Sequence, residues 1–318
     1  MPPPQPNPSP ANAPAPAGIS RRSFLRNSAL FASGLAALAA SLEPLRHLNE
    51  FPTVDQFLQK YYKELTPEEM AKVLKRIEDE VEHDYGLRPH VRDLKPMNGV
   101  EYVYALNLTR CIGCRKCVHA CVGENNQSRN PEVQYIRVVR LPHGSLDLEK
   151  AEHNYNPEQV PEAGYFYMPV QCQQCRNPPC VKVCPVHATW QEKDGITVID
   201  YNWCIGCRYC AAACPFWARH FNWTKPSIPK ERLNPNMAYL GNRPRKQGVM
   251  EKCHFCIQRT RAGRYPACVE VCPVGARKFG NILDPESEVS YILRTKRVFI
   301  QLKEELGTSP RFYYYFDV

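Results

Sequence analysis

Between Thr66 and Gly86 the apolar residues Met70, Val73, Leu74, Ile77 and Val81 recur three or four positions apart and so share one face of an α-helix. Thr66 stands where an N-cap belongs, Pro67 suits the first helical position, Glu69 completes a capping box and Gly86 provides a stop. The spacing predicts a packing helix over 66–85 without chemistry of its own. From Val100 to Leu106 the pattern becomes strand-like and runs up to the first cysteine. Asp194-Gly195 followed by Ile196-Thr197-Val198-Ile199 predicts a hairpin strand. Between residues 111 and 272 short motifs alternate with loops rich in Gly, Pro and Asn instead of long periodic segments. After Asn281 the cysteines stop, and a mixed charged and apolar tail ends in Phe312-Tyr313-Tyr314-Tyr315-Phe316. Such aromatic density reads either as a docking strip for a partner or as a strand packed on the chain's own core.

The first 42 residues read differently. Residues 2–17 are almost all Pro, Ala, Asn, Gln and Ser, with nothing to bury, so a disordered arm is expected. Ser20-Arg21-Arg22-Ser23-Phe24-Leu25-Arg26 then precedes an apolar stretch, Ala29 to Ala40, with Ala37-Leu38-Ala39 near its end. This resembles a twin-arginine export signal with an A-x-A cleavage site. The alternative is an arginine pair ahead of an ordinary buried helix. The uncharged run Asn27–Leu42 has 16 residues, short of the roughly 20 needed to cross a bilayer as a helix. The expected organisation is an arm and signal over 1–42, a helical extension over 43–98, a cysteine-rich domain over 99–280 and a C-terminal docking tail over 281–318.

The chemistry lies in the cysteines. All 16 fall into four quartets. Cys111, Cys114, Cys117 and Cys121 run C-x2-C-x2-C-x3-C, and Cys172, Cys175, Cys180 and Cys184 run C-x2-C-x4-C-x3-C-P. Cys204, Cys207, Cys210 and Cys214 repeat the bacterial ferredoxin run with its closing proline, Pro215. Cys253, Cys256, Cys268 and Cys272 run C-x2-C-x11-C-x3-C-P. Three thiolates close in sequence on a curled loop reach three irons of a cubane cluster, and the fourth iron needs a distant cysteine. In the ferredoxin arrangement that cysteine ends the run belonging to the other cluster of a pair. Zinc also uses C-x2-C pairs, but accounts poorly for four quartets with C-x3-C-P endings. Disulfides suit an exported protein, but not such close clustering. His119 and His254 lie inside motifs, yet sixteen thiolates already match sixteen iron corners. Arg110, Arg115, Arg208 and Lys252 flank ligands, either to stabilise cluster charge or as solvated loop residues. No Gly-rich nucleotide loop, Ser-His-Asp arrangement or H-E-x-x-H helix occurs.

The formal net charge of +9 would ordinarily suggest nucleic acid or an anionic surface. Four oxidised four-thiolate clusters, each about −2 overall, bring the loaded chain to about +1 and, without residues 1–39, to about −2. The excess is compensation for clusters, and nucleic acid is not an expected partner.

The order and spacing of the four quartets, from about Val100 to Gly280, closely resemble the four-cluster ferredoxin-like electron-transfer subunits of the complex iron–sulfur oxidoreductases. That family includes the iron–sulfur subunits of dimethyl sulfoxide, polysulfide and tetrathionate reductases and the NrfC-type proteins. The export signal, with no C-terminal membrane helix, is most similar to periplasmic members such as the DsrO-, NrfC- and HybA-like proteins or the iron–sulfur part of alternative complex III. Gly248-Val249-Met250-Glu251-Lys252-Cys253 is similar to the start of the fourth motif in that group. The resemblance implies an α+β fold of two ferredoxin-like halves, each of the bacterial two-cluster type, with loop-rich insertions and the N-terminal helical extension. Motifs one and four form one half, two and three the other. It implies four [4Fe-4S] clusters held by Cys111, Cys114, Cys117 with Cys272; by Cys172, Cys175, Cys180 with Cys214; by Cys204, Cys207, Cys210 with Cys184; and by Cys253, Cys256, Cys268 with Cys121. Val122 stands where the family has proline after the last cysteine of the motif, a turn position and not a ligand. The implied role is passage of single electrons between an NrfD-type quinone-reactive membrane subunit and a catalytic molybdoenzyme, hydrogenase or multihaem cytochrome subunit, in the periplasm after export in the folded state. The alternative is an iron–sulfur reductase with its own substrate site.

Overall fold

A computed structural model describes residues 65–148, 150–296 and 299–317. The proline-rich arm, the twin-arginine segment and residues 43–64 of the expected helical extension lie outside the described residues.

Helix α1 (Pro67–Tyr85) begins and ends as its sequence dictates. The Thr66 hydroxyl accepts from the Glu69 amide at 3.3 Å, the Glu69 carboxylate accepts from the Thr66 amide at 2.9 Å, and left-handed Gly86 (φ 71°) closes the last turn. Ile77 and Val81 are buried, with Met70, Val73 and Leu74 beside them. They pack on a two-stranded parallel sheet of β1 (His90–Arg92) and β8 (Asn236–Ala238), together with Ile228, Leu233, Met237 and Tyr239. The extension thus forms a satellite core with the insertion between the third and fourth motifs.

The central sheet has the order β10 (Arg277–Asn281), β2 (Tyr102–Asn107), β12 (Phe312–Tyr315), β11 (Phe299–Ile300). All six residues of β2 are buried, because β10 flanks it antiparallel and β12 parallel. Helix α7 (Glu288–Thr295) covers one face through Val289 and Ile292 against Val103, Ala105 and Tyr315. On the other face Tyr104 stacks on Phe312 at 4.5 Å. Within the aromatic strip 312–316, Phe312, Tyr314 and Tyr315 are covered by the protein's own core, and Tyr313 and Phe316 are half-buried.

Three further antiparallel pairs carry the loops: β3 (Arg137–Pro142) with β4 (Tyr165–Val170), β5 (Thr189–Gln191) with β6 (Thr197–Ile199), and β7 (His220–Phe221) with β9 (Met250–Glu251). The β5–β6 hairpin turns at Gly195 (φ 81°). Short helices follow or lie within the cysteine motifs: α2 (Lys116–Glu124), α3 (Pro179–Lys182), α4 (Tyr209–Ala212), α5 (Ile257–Thr260) and α6 (Ala267–Glu270). Helix α2 packs on α6 and α3 on α4, so first-motif residues meet fourth-motif residues across the length of the inserted segment. Buried Arg245 ties these regions: it pairs with Glu251 of β9 at 2.9 Å and donates to the Asn125 carbonyl, just past α2, at 2.5 Å. The architecture is mixed α and β with small sheets. Among the described residues no helix is long and apolar enough to cross a membrane.

Candidate functional site

The first C-x-x-C loop of each motif carries a left-handed residue just before its second cysteine: Gly113 (φ 73°), Gln174 (φ 45°), Gly206 (φ 70°) and Phe255 (φ 53°). A left-handed residue in a loop is the backbone geometry from which an inward-facing nest of amides can be built. At two of these positions glycine is also sterically required. A Cβ on Gly113 would sit 2.3 Å from the Tyr167 ring, and one on Gly206 would sit 2.0 Å from the Gly248 carbonyl oxygen.

The curled loops bring cysteines from different motifs together. One cavity is lined by Cys111, Cys114, Cys117 and Cys272, a second by Cys172, Cys175, Cys180 and Cys214, and a third by Cys184, Cys204, Cys207 and Cys210. Each of these three cavities is lined by four cysteines, three from one motif and the last cysteine of another. The remaining four cysteines also converge. Cys121 feels Cys256, Cys253 and Cys268 as its charged neighbours, and the Asn125 amide group donates to both Cys121 Sγ and Cys256 Sγ at 3.5 Å. All sixteen thiols are free of disulfides. Among the described residues no group of three His, Cys, Asp or Glu side chains is placed to hold a single metal ion.

Burial pushes the Cys111, Cys175 and Cys256 thiols up to about 12, and Cys121 and Cys253 well above their ordinary value. Iron bound among these sulfurs would supply the opposing charge that favours their thiolate form. Several donors already face them: Gln127 Nε2 to Cys121 Sγ at 3.2 Å, the Met250 amide to Cys204 Sγ at 3.4 Å, and the Tyr104 hydroxyl 3.5 Å from Cys268 Sγ.

The flanking cations divide. Arg110 turns to Asp317 at 2.9 Å, Arg115 to the His153 carbonyl and the Tyr155 ring, and exposed Arg208 lies over Phe221 and Trp223. Arg115 also lines the first cavity and Arg208 the third, but of the four only Lys252 is buried, lining the second. His119 is exposed. His254 is buried and held neutral, its pKa pushed well down by burial and then by Arg245 and Lys252, and its Nδ1 accepts from the Ile257 amide at 3.3 Å.

Two arginines that the flanking pattern does not single out face the sulfurs instead. Arg219 donates through Nη2 to Cys180 Sγ at 2.9 Å and to Thr189 Oγ1 at 3.0 Å, and lines the second and third cavities together. Arg277 donates through Nη1 to the Tyr104 hydroxyl and Gln171 Oε1, both at 2.9 Å, and lines the first cavity. Their sequence signal is a repeat: Cys214-Pro215-Phe216-Trp217-Ala218-Arg219 and Cys272-Pro273-Val274-Gly275-Ala276-Arg277 share C-P-x-x-A-R.

Comparison with known proteins agrees with this geometry. The 4Fe-4S dicluster domain matches residues 163–245 and 239–282, and a second model of the same description matches residues 110–188. The chain is 36% identical over 311 residues to a subunit of the selenate reductase of Mesobacillus selenatarsenatis, covering 93% of this chain and 96% of that one. It belongs to the four-cluster iron–sulfur subunits of respiratory oxidoreductases. It is also similar to the putative dimethyl sulfoxide reductase iron-sulfur subunit of Halobacterium salinarum, at 42% identity over 219 residues, 67% of this chain and 78% of that one. A third relative is the Hdr-like menaquinol oxidoreductase iron-sulfur subunit 1 of Archaeoglobus fulgidus, 38% identical over 240 residues, 67% of this chain and 82% of that one. For a four-cluster iron–sulfur subunit the cofactors are four [4Fe-4S] clusters, and the cavities fit them. Beyond the thiols, buried Arg219 Nε and Nη1 and Arg277 Nη2 have no hydrogen-bond partner in the protein, an arrangement that suits sulfide acceptors.

Proposed function

We propose that this chain passes single electrons between an NrfD-type quinone-reactive membrane subunit and a catalytic molybdoenzyme, hydrogenase or multihaem cytochrome subunit. When bound, each cluster takes up and releases one electron; the protein's part is to hold it, shield it and set its energy. The proposed ligand sets are Cys111, Cys114, Cys117 and Cys272; Cys253, Cys256, Cys268 and Cys121; Cys172, Cys175, Cys180 and Cys214; and Cys204, Cys207, Cys210 and Cys184. The first two sets, with β2, α2, α6 and β10, make one proposed ferredoxin-like half, and the last two, with α3 and α4, the other.

The observation that carries this reading is that the last cysteine of one motif lines the cavity of another. The proposed order of clusters follows from the seam between halves. Cys253 has Cys172 as its strongest charged neighbour, and Gln174 Nε2 donates to the Cys253 carbonyl at 2.8 Å. Electrons would run from the Cys111 set through the Cys253 and Cys172 sets to the Cys204 set. At that last end Cys207 is exposed, and Trp203, Ile205, Tyr209 and Trp223 are exposed large apolar residues, which supports contact with a partner there. The proposed setting is the periplasmic face of the cytoplasmic membrane, reached folded by the twin-arginine route and held by partners or a retained signal. The names of the relatives, one a menaquinol oxidoreductase subunit, support the quinone side.

Cys121→Ala tests the pairing. The cluster held mainly by the fourth motif is expected to be lost or altered in iron content and spectrum. Loss confined to the first-motif cluster overturns the ligand sets. Replacing Arg21 and Arg22 by lysine is expected to retain the protein in the cytoplasm, and unchanged export refutes the route.

A further inference from the structure

Three cations are buried in the cluster-binding region against its sulfurs, and each has a distinct address. Arg277 is 3% exposed and acts on Cys117 and Cys268, the third cysteines of the first and fourth motifs. Arg219 is 7% exposed and acts on Cys180 and Cys210, the third cysteines of the second and third motifs. The two arginines are equivalent in sequence, five residues after the final cysteine of their motifs, and equivalent in address. Lys252 is 2% exposed, lines the cavity of the Cys172 set, donates to the Cys253 carbonyl at 2.6 Å and acts on Cys253 of the neighbouring set.

The arginines are built without counter-ions. The groups that act on Arg219 are cysteines, and those that act on Arg277 are cysteines and Tyr104. A guanidinium taken out of water without a carboxylate is strongly unfavourable unless other negative charge compensates it. Here the compensating charge comes from two ligand sets at once, since Arg219 lines two cavities. Sharing is geometric: the Thr189 hydroxyl, the residue equivalent to Arg219 in the second motif, accepts from Arg219 Nη2 and fixes the planar fork between them.

We propose that Arg277, Lys252 and Arg219 occupy the three successive gaps of the cluster chain, one cation per gap, and that each raises the reduction potentials of the two clusters it separates. A reduced cluster carries one more negative charge than an oxidised one, so a fixed cation in a site of low dielectric favours the reduced form on both sides of its gap. The three side chains are positioning residues: they ligate no iron and move no proton.

The inference rests on the ligand sets proposed above and is tested on the full chain, purified with its clusters, by redox titration followed with electron paramagnetic resonance. Arg277→Gln is expected to lower the potentials of the Cys111 and Cys253 clusters, Lys252→Gln those of the Cys253 and Cys172 clusters, and Arg219→Gln those of the Cys172 and Cys204 clusters. Each reduction equilibrium should fall about tenfold, which is about 59 mV for one electron. The two inner clusters thus respond to two variants and the two outer clusters to one. Arg219→Lys and Arg277→Lys keep the charge and are expected to restore most of the shift; equal losses in Lys and Gln variants overturn the electrostatic role. Full cluster content with unmoved potentials also overturns it and leaves the pairing intact. If two potentials move but Cys184→Ala and Cys272→Ala assign them to other ligand sets, the cation role stands and the pairing fails. Should Gln variants lose clusters that Lys variants keep, charge in the gap is upheld as the requirement.

Discussion

Gly206 and Gly113 each combine a left-handed backbone with a neighbour that leaves no room for a Cβ, so their identity is fixed twice over. Gly206→Ala is expected to weaken the Cys204 loop by about 1–3 kcal/mol from backbone strain alone, with the clash against the Gly248 carbonyl adding to it. The measurable outcome is substoichiometric iron and acid-labile sulfide, with the deficit in the clusters that share the second and third motifs. Normal content with unchanged stability would show that the loop relaxes freely. At this scale the proposed ligands are legible in the sequence, because a thiolate set has a spacing that little else shares. The charges around them are not. Adjacency in sequence points to Arg110, Arg115 and Arg208, whose long side chains reach carboxylates, carbonyls and aromatic faces nearby. Arg219 and Arg277 stand five residues beyond a cysteine, and a polar letter carries no mark that it will be buried.

Strand β12 is the element whose role sequence left open. Its partner β2 lies 208 residues earlier in the register Phe312 to Tyr104, and local periodicity holds no information about a parallel neighbour so far away. The elements that were legible, α1 with its capping box and the β5–β6 hairpin at Gly195, are those whose stabilising contacts sit within a few residues of one another. With Phe312 fully buried against Tyr104, Phe312→Ala is expected to lower stability by about 3–5 kcal/mol, read as a fall in the midpoint of denaturant unfolding. Deleting residues 309–318 should abolish cluster retention and yield poorly folded protein. A soluble, fully clustered truncation that only fails to co-purify with a membrane partner would favour the docking reading.

The whole molecule is held together around charge that the polypeptide does not itself contain. Stripping the clusters leaves the formal +9 of the chain unbalanced, with Arg219 and Arg277 buried and without counter-ions. Metal removal is therefore expected to cause loss of far-ultraviolet circular dichroism and of cooperative unfolding, not a folded apo form; a native-like spectrum after chelation would contradict this. The interleaving of motifs also sets a timetable for biosynthesis. On the proposed ligand sets, a chain leaving the ribosome has every ligand of the half built from motifs two and three in hand once Cys214 has emerged, yet the half built from motifs one and four, opened at Cys111, stays incomplete until Cys272 appears. The first cysteines synthesised are thus among the last to be satisfied, and for about 160 residues of elongation they are an open claim on iron. Closure of that half with β10 against β2 then comes late, after every other proposed ligand has been synthesised.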